Sequence, residues 1–258
     1  MQNLQNIAII PARKGSKGLP GKNIMKFCDK PLIYWTIKIA IESNIFDKII
    51  VSTDCKNIAE ISKTFGAEVP FLRPSKYAKD NSRDIDFHFH TLDWLEKNES
   101  YFPHALVNLR PTTPLRSQII IDKAILEFLK HPEIDSLRSV QLSEQTPYKM
   151  WSLNENNHLK QVIFLKDFKE PYNEPRQNLP LIYWQNGYVD IVKSKIVREK
   201  NSTTGDKILP FFIEDPSIDL DYPDEIQKAE AQLKEYLINN KRDEEQKSSS
   251  SFLERYPS

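Results

Sequence analysis

Three glycines and four cations crowd the segment from Pro11 to Asn23, PARKGSKGLPGKN. Gly15, Gly18 and Gly21 fall within seven residues, although the whole chain has only six glycines. Glycine admits backbone conformations with φ > 0 and lets N–H groups come close to a ligand. Arg13, Lys14, Lys17 and Lys22 add positive charge around them. Close amides and clustered cations suit a polyphosphate. The spacing matches neither GxxxxGKS/T nor GxGxxG, which excludes the P-loop and the dinucleotide fingerprint. The plain alternative is a basic surface turn.

A second constellation is Ile218-Asp-Leu-Asp221. Aspartates at i and i+2 on a strand face the same way, so both carboxylates reach one hard cation. Mg²⁺ commonly takes one or two protein carboxylates together with phosphate oxygens and water. The alternative is a polar strand edge with Asp221 capping the next helix. Asp80-Asn-Ser-Arg-Asp-Ile-Asp86 precedes a helical pattern, and N-capping by Ser82 and Asp84 is the plain alternative there to a binding role, with nearly equal weight. Asn108-Leu-Arg-Pro-Thr-Thr-Pro-Leu-Arg116 holds two prolines that stiffen a turn around its hydroxyls.

These groups need a scaffold, and the first half of the chain supplies its pattern. Strand-like runs at Asn6–Ile10, Lys48–Ser52 and Ala105–Leu109 alternate with helical spacing at Pro31–Ser43, Asn57–Phe65, Arg83–Lys97 and Ser117–Lys130. That alternation predicts stacked βαβ units and a mainly parallel sheet, an α/β fold. The glycine-rich loop follows the first strand, at the carboxyl end of the sheet, where such folds bind ligands. Ser136–Leu142 and Leu181–Val192 read as further strands, and Pro223–Leu237 as a closing amphipathic helix. Pro147 to Pro180 is proline-spaced, aromatic and aperiodic, which marks a functional or interaction arm. His88 and His90 fall on the third helix without metal spacing and read as helix-surface residues. One domain over 1–240 is expected, with an arm over about 145–187 and a charged, serine-rich disordered tail at 241–258.

Lys+Arg and Asp+Glu are 36 each, so no bulk field draws the chain to nucleic acid or an anionic membrane. Cys28 and Cys55 form neither a disulfide framework nor a metal pattern. No signal-peptide pattern and no long apolar run occurs, and a cytoplasmic enzyme is the expectation.

With these residues in hand, the chain resembles the CMP-N-acylneuraminate synthetases and their relatives acting on other nonulosonic acids. RxGSKGxPxKN after an IIPA strand carries the resemblance, which runs from about Asn6 to Leu237. It implies a Rossmann-like sheet of the nucleotide-diphospho-sugar transferase type with a protruding dimerisation arm. It also implies a Mg²⁺-dependent reaction of CTP with a nonulosonic acid in a homodimer whose arms are exchanged. By position, the loop with Ala12, Arg13, Gly15, Ser16, Lys22 and Asn23 would hold the phosphates and ribose. Lys22 and Arg13 would be catalytic, Lys22 facing the α-phosphate. Arg73 and Ser82 would contact the nucleotide, and Asp219 and Asp221 the Mg²⁺. Arg110, Thr112 and Arg116 would contact the sugar, joined by Asn186 and by Lys149 and Arg176 from a partner's arm. Three positions depart from the family. Lys14 stands for a small residue, Arg110 for glutamine, and Asp190 for an aromatic; the last two suggest a sugar other than the common sialic acid. A CMP-Kdo synthetase and a catalytically silent protein of the same fold are the alternatives.

Overall fold

The computed structural model describes residues 5–15, 18–214, 220, 222 and 224–238. Strand β1 (Asn6–Pro11) runs NIAIIP and is buried almost throughout. Its side chains alternate across the sheet: Ala8 and Ile10 join one apolar cluster, Ile7 and Ile9 another. Both faces are therefore covered, as a parallel sheet requires. The glycine loop leads into one 3-10 turn, Lys22–Ile24. A short hairpin of β2 (Lys26–Phe27) and β3 (Lys30–Pro31) then feeds α1 (Leu32–Glu42).

Strand β4 (Lys48–Ser52) pairs parallel with β1. Helix α2 (Lys56–Thr64) closes as the sequence predicts: Gly66, at φ +92°, donates to the Lys63 carbonyl, and Ala67 donates to that of Ser62. Those two bonds make a Schellman cap, which needs the left-handed glycine. Helix α3 (Asp84–Glu99) returns the chain to β5 (Ala105–Asn108), parallel to β1 on its other side. After α4 (Gln118–Lys130) comes β6 (Ser136–Leu142), then the hairpin of β7 (Trp151–Leu153) and β8 (Leu159–Gln161). The long β9 (Tyr183–Lys193), helix α5 (Ser194–Lys200) and β10 (Ile208–Phe212) follow.

The main sheet has the order β10-β6-β9-β5-β1-β4. Five strands run one way, and β9 lies antiparallel between β5 and β6. The mainly parallel α/β expectation holds, with a reversed strand at its centre. Residues of α1 and α4 pack on one face with Val107 and Leu137, and residues of α3 and α5 on the other with Leu106 and Val192. A third cluster joins Phe27, Leu32, Trp35, Leu115 and Leu220 to Ala229 and Leu233 of a helix spanning 224–238. That helix meets the expected closing element. The 241–258 tail lies outside the described residues.

Strand β10 and helix α5 are elements the sequence pattern does not reveal. Pro210 sits within β10, which is tolerated because β10 is an edge strand. No helix among the described residues is long and apolar enough to cross a membrane.

Candidate functional site

The glycine loop is tied to the end of β4. Ala12 donates its amide to the Ser52 carbonyl at 3.0 Å, and Lys14 donates its amide to Asp54 Oδ1 at 2.7 Å. Asn23 reaches back, its Nδ2 donating to the Arg13 carbonyl at 3.0 Å. Gly21, at φ +71°, starts the 3-10 turn that carries Lys22, and a residue with a Cβ would be strained there. Gly15 has open space around its Cα. Ser16 and Lys17 lie outside the described residues.

Lys22 is buried, and its Nζ donates to the Leu220 carbonyl at 2.7 Å. Leu220 in turn donates its amide to the Thr112 carbonyl at 2.8 Å. One buried residue thus joins the glycine loop to the turn after β5. Its neighbours Asp219 and Asp221, the candidate metal ligands, lie outside the described residues. Among the described residues no three His, Cys, Asp or Glu side chains cluster as a metal site would require.

Between these loops and the start of α3 lies an open cleft of about 150 Å³, lined by Arg13, Arg73, Ser82, Asp84, Arg110 and Thr112 among others. Arg13 pairs with Asp80 at 2.8 Å. Arg73 is buried under the cleft, donating to Ser52 Oγ and to the Ser52 carbonyl with its guanidinium over the Phe87 ring. Burial pushes its pKa down to about 10, against the attraction of Asp54 and Asp84, so it stays charged at neutral pH. Ser82 does not cap α3. Its Oγ accepts from the Lys79 amide and donates to the Lys76 carbonyl, closing the turn before the helix. The cap is made by Asp86, which accepts from the Arg83 amide at 3.0 Å. Asp84 is thereby free to face the cleft, where its carboxylate pairs with Arg110 and accepts from Asn108 Nδ2.

Arg116 is almost wholly buried, and its guanidinium donates to the carbonyls of Arg110, Thr113, Gly187 and Tyr188. It clamps the 110–116 turn against β9. Asn186 pins the same region, Oδ1 accepting from Ser139 Oγ and the Tyr188 amide. Gly187, at φ +68°, lies beside the Arg110 stem. Asn186, Lys149 and Arg176 do not line the cleft. Lys149 is exposed, and Arg176 donates to the Ser143 carbonyl beside a separate cavity.

The reading of His88 as a surface residue is corrected. The side chain is fully buried against Phe87, and burial drives its pKa down to about 3. The helix turns it inward because it lies four residues after Asp84, on the same face.

A glycine loop, a buried lysine and a cation-lined cleft at the carboxyl end of the sheet agree with one family. Residues 7–243 match the model of the family described as cytidylyltransferase. The chain belongs to the cytidylyltransferase family. Among its relatives is a CMP-N,N'-diacetyllegionaminic acid synthase of Legionella pneumophila, 32% identical over 84% of this chain and 91% of the relative. Another is a pseudaminic acid cytidylyltransferase of Campylobacter jejuni, 30% identical over 71% of this chain and 76% of the relative. Among solved structures, a CMP:2-keto-3-deoxy-manno-octonic acid synthetase complexed with CTP shares the fold at a TM-score of 0.67 and 15% identity, covering 90% of this chain and 99% of its own.

For this cytidylyltransferase, two features of the cleft escape a reading of the sequence alone. The Asp84–Arg110 pair joins residues far apart in the chain, so no spacing announces it. The Leu220 contact uses a main-chain carbonyl, which carries no side-chain signature.

Proposed function

We propose that the protein joins CTP to a nonulosonic acid, giving the CMP-sugar and pyrophosphate. The sugar's anomeric 2-hydroxyl attacks the α-phosphorus; a new P–O bond forms, the bond to pyrophosphate breaks, and the hydroxyl proton is released. The observation that supports this reading is the contact of Lys22 with Leu220, the residue that lies between the two aspartates in the sequence. Arg13 and the loop amides bind and orient the triphosphate, and Lys22 offsets charge developing at the α-phosphate. Arg73 and Ser82 receive the nucleoside end. Arg110 and Thr112 face the sugar, with Arg116 and Asn186 shaping its pocket.

Two carboxylates flanking Leu220 are a hard-oxygen donor set that fits Mg²⁺, and Asp219 and Asp221 would hold it. When bound, the ion supplies charge neutralisation at the phosphates. The protein acts in the cytoplasm as a homodimer, with Lys149 and Arg176 of each arm serving the other protomer's sugar site. What supports the sugar class is that relatives at about a third identity are named for two different nonulosonic acids.

The test is pyrophosphate release from CTP with a panel of sialic, legionaminic and pseudaminic acids, with Kdo as the eight-carbon control. Release with at least one nine-carbon acid is expected. Lys22→Ala should lower kcat by a factor of about 100 or more while CTP still protects the fold. Release with Kdo alone, or near-normal turnover by the variant, would overturn the assignment. Exchange of both Asp219 and Asp221 for Asn should abolish the Mg²⁺ requirement together with activity.

A further inference from the structure

Arg110 lines the cleft. Its stem passes Gly187 on the β9 side, and its guanidinium meets the Asp84 carboxylate. Both side chains are about one-third exposed, so a ligand in the cleft can reach them. Asp84 is fixed from behind, because Asn108 Nδ2 donates to the same oxygen at 3.3 Å. Asn108, Asp190 and Arg138 stand side by side on β5, β9 and β6. Asp190 is buried, 3.7 Å from Arg138, and accepts from Gln185 Nε2 at 2.8 Å.

These groups nearly balance. Arg110 pairs with Asp84 and Arg138 with Asp190, and Arg73 is attracted by Asp54 as well as Asp84. His88, facing them from α3, is neutral. The balance explains how an arginine is accommodated at position 110 above a second buried arginine: each has its own carboxylate.

We propose that Asp84 is a positioning residue that aims the Arg110 guanidinium at the carboxylate of the incoming sugar, making the pair a determinant of sugar selection. This rests on the functional reading given above. Two roles for Asp84 predict opposite outcomes. A carboxylate acting only as a charge would repel an anionic sugar, and its neutralisation would tighten binding. A carboxylate that positions Arg110 would, once neutralised, leave a long side chain free among its rotamers and weaken binding.

The experiment is steady-state kinetics of Asp84→Asn in the wild-type and Arg110→Gln backgrounds, with the best sugar of the panel. Asp84→Asn alone should raise the KM for the sugar by about tenfold. Its kcat and its KM for CTP should stay within about twofold. In the Arg110→Gln background the same change should have no effect beyond about twofold, because nothing remains to be positioned. A lower or unchanged sugar KM, a rise in the CTP KM instead, or an equal loss in both backgrounds would overturn the proposal.

If the wild-type protein turns over no sugar at all, the functional reading fails, and the positioning is then judged on the free protein. Restricted rotation of the Arg110 Nη groups, seen by ¹⁵N NMR, should be present in wild type and lost in Asp84→Asn. Unchanged rotation in that variant would overturn the positioning by itself.

Discussion

His88 is fully buried, and neither of its ring nitrogens has a hydrogen-bond partner among the described residues. A buried polar atom of this kind costs about 1–3 kcal/mol. For His88 the consequence is a pH dependence. Its folded pKa of about 3 lies below the ordinary 6.5, because burial disfavours the charged ring. Between those values the unfolded chain binds a proton that the folded chain refuses, so stability rises with pH through that window and the penalty grows as pH falls. The urea midpoint of the wild-type protein should therefore drop on acidification from pH 6.5 towards pH 3. His88→Gln should flatten that part of the profile. An unchanged slope in the variant would mean that other groups carry the dependence.

At the scale of elements, the β9-α5-β10 region is held by one carboxylate. Asp135 Oδ2 accepts from the amides of Asp206 and Lys207 and from Lys200 Nζ, and these bonds hold its pKa down to about 2. The turn can approach so closely because residue 205 is glycine at φ +68°; a Cβ there would collide with the Asp135 carboxylate. Gly205→Ala should destabilise the fold by about 1–3 kcal/mol, through strain and the displaced carboxylate. Thermal unfolding reads this, and an unchanged Tm would show that the turn relaxes freely. Such contacts mark the limit of what the sequence discloses. The loop at Gly15–Gly21, the Schellman glycine after α2 and the strands of the first half were legible, because turn chemistry and side-chain period are local. The α3 cap was legible only in place: the signal pointed to Ser82 or Asp84, and Asp86 makes the bond. Arg116 read as a cation for a substrate, but whether a guanidinium faces a ligand or four carbonyls depends on a turn folding back onto β9. Edge strand β10 stayed hidden because Pro210 argues against a strand wherever its neighbours are unknown.

Across the whole molecule, exposed apolar side chains recur between residues 142 and 212. Leu142, Leu153, Leu159, Phe164, Leu181 and Phe212 are each more than half exposed. A patch on this scale is a docking surface or an aggregation hazard in a lone chain. The exchanged-arm dimer of the functional proposal would cover it. Phe164→Asp with Leu159→Asp should convert a dimer into a monomer in sedimentation at micromolar concentration. Activity should fall with the dimer, since Lys149 and Arg176 would lose the site they serve. A wild-type protein that sediments as a monomer at full activity would refute the exchange.

The reversed strand at the centre of the sheet has a consequence in time. β5 and β6 leave the ribosome well before β9, the strand that lies between them. Until residues 183–193 are made, the inner edge of the β4-β1-β5 half has no partner strand. β6 waits as well, with β10 still to come on its other side. The arm, synthesised during that interval, is the length of chain that must loop out so that β9 can enter the gap. Its entry joins the two halves of the sheet and at the same moment brings Gly187 beside the Arg110 stem. The nascent chain thus joins the two halves of its sheet in a single late step.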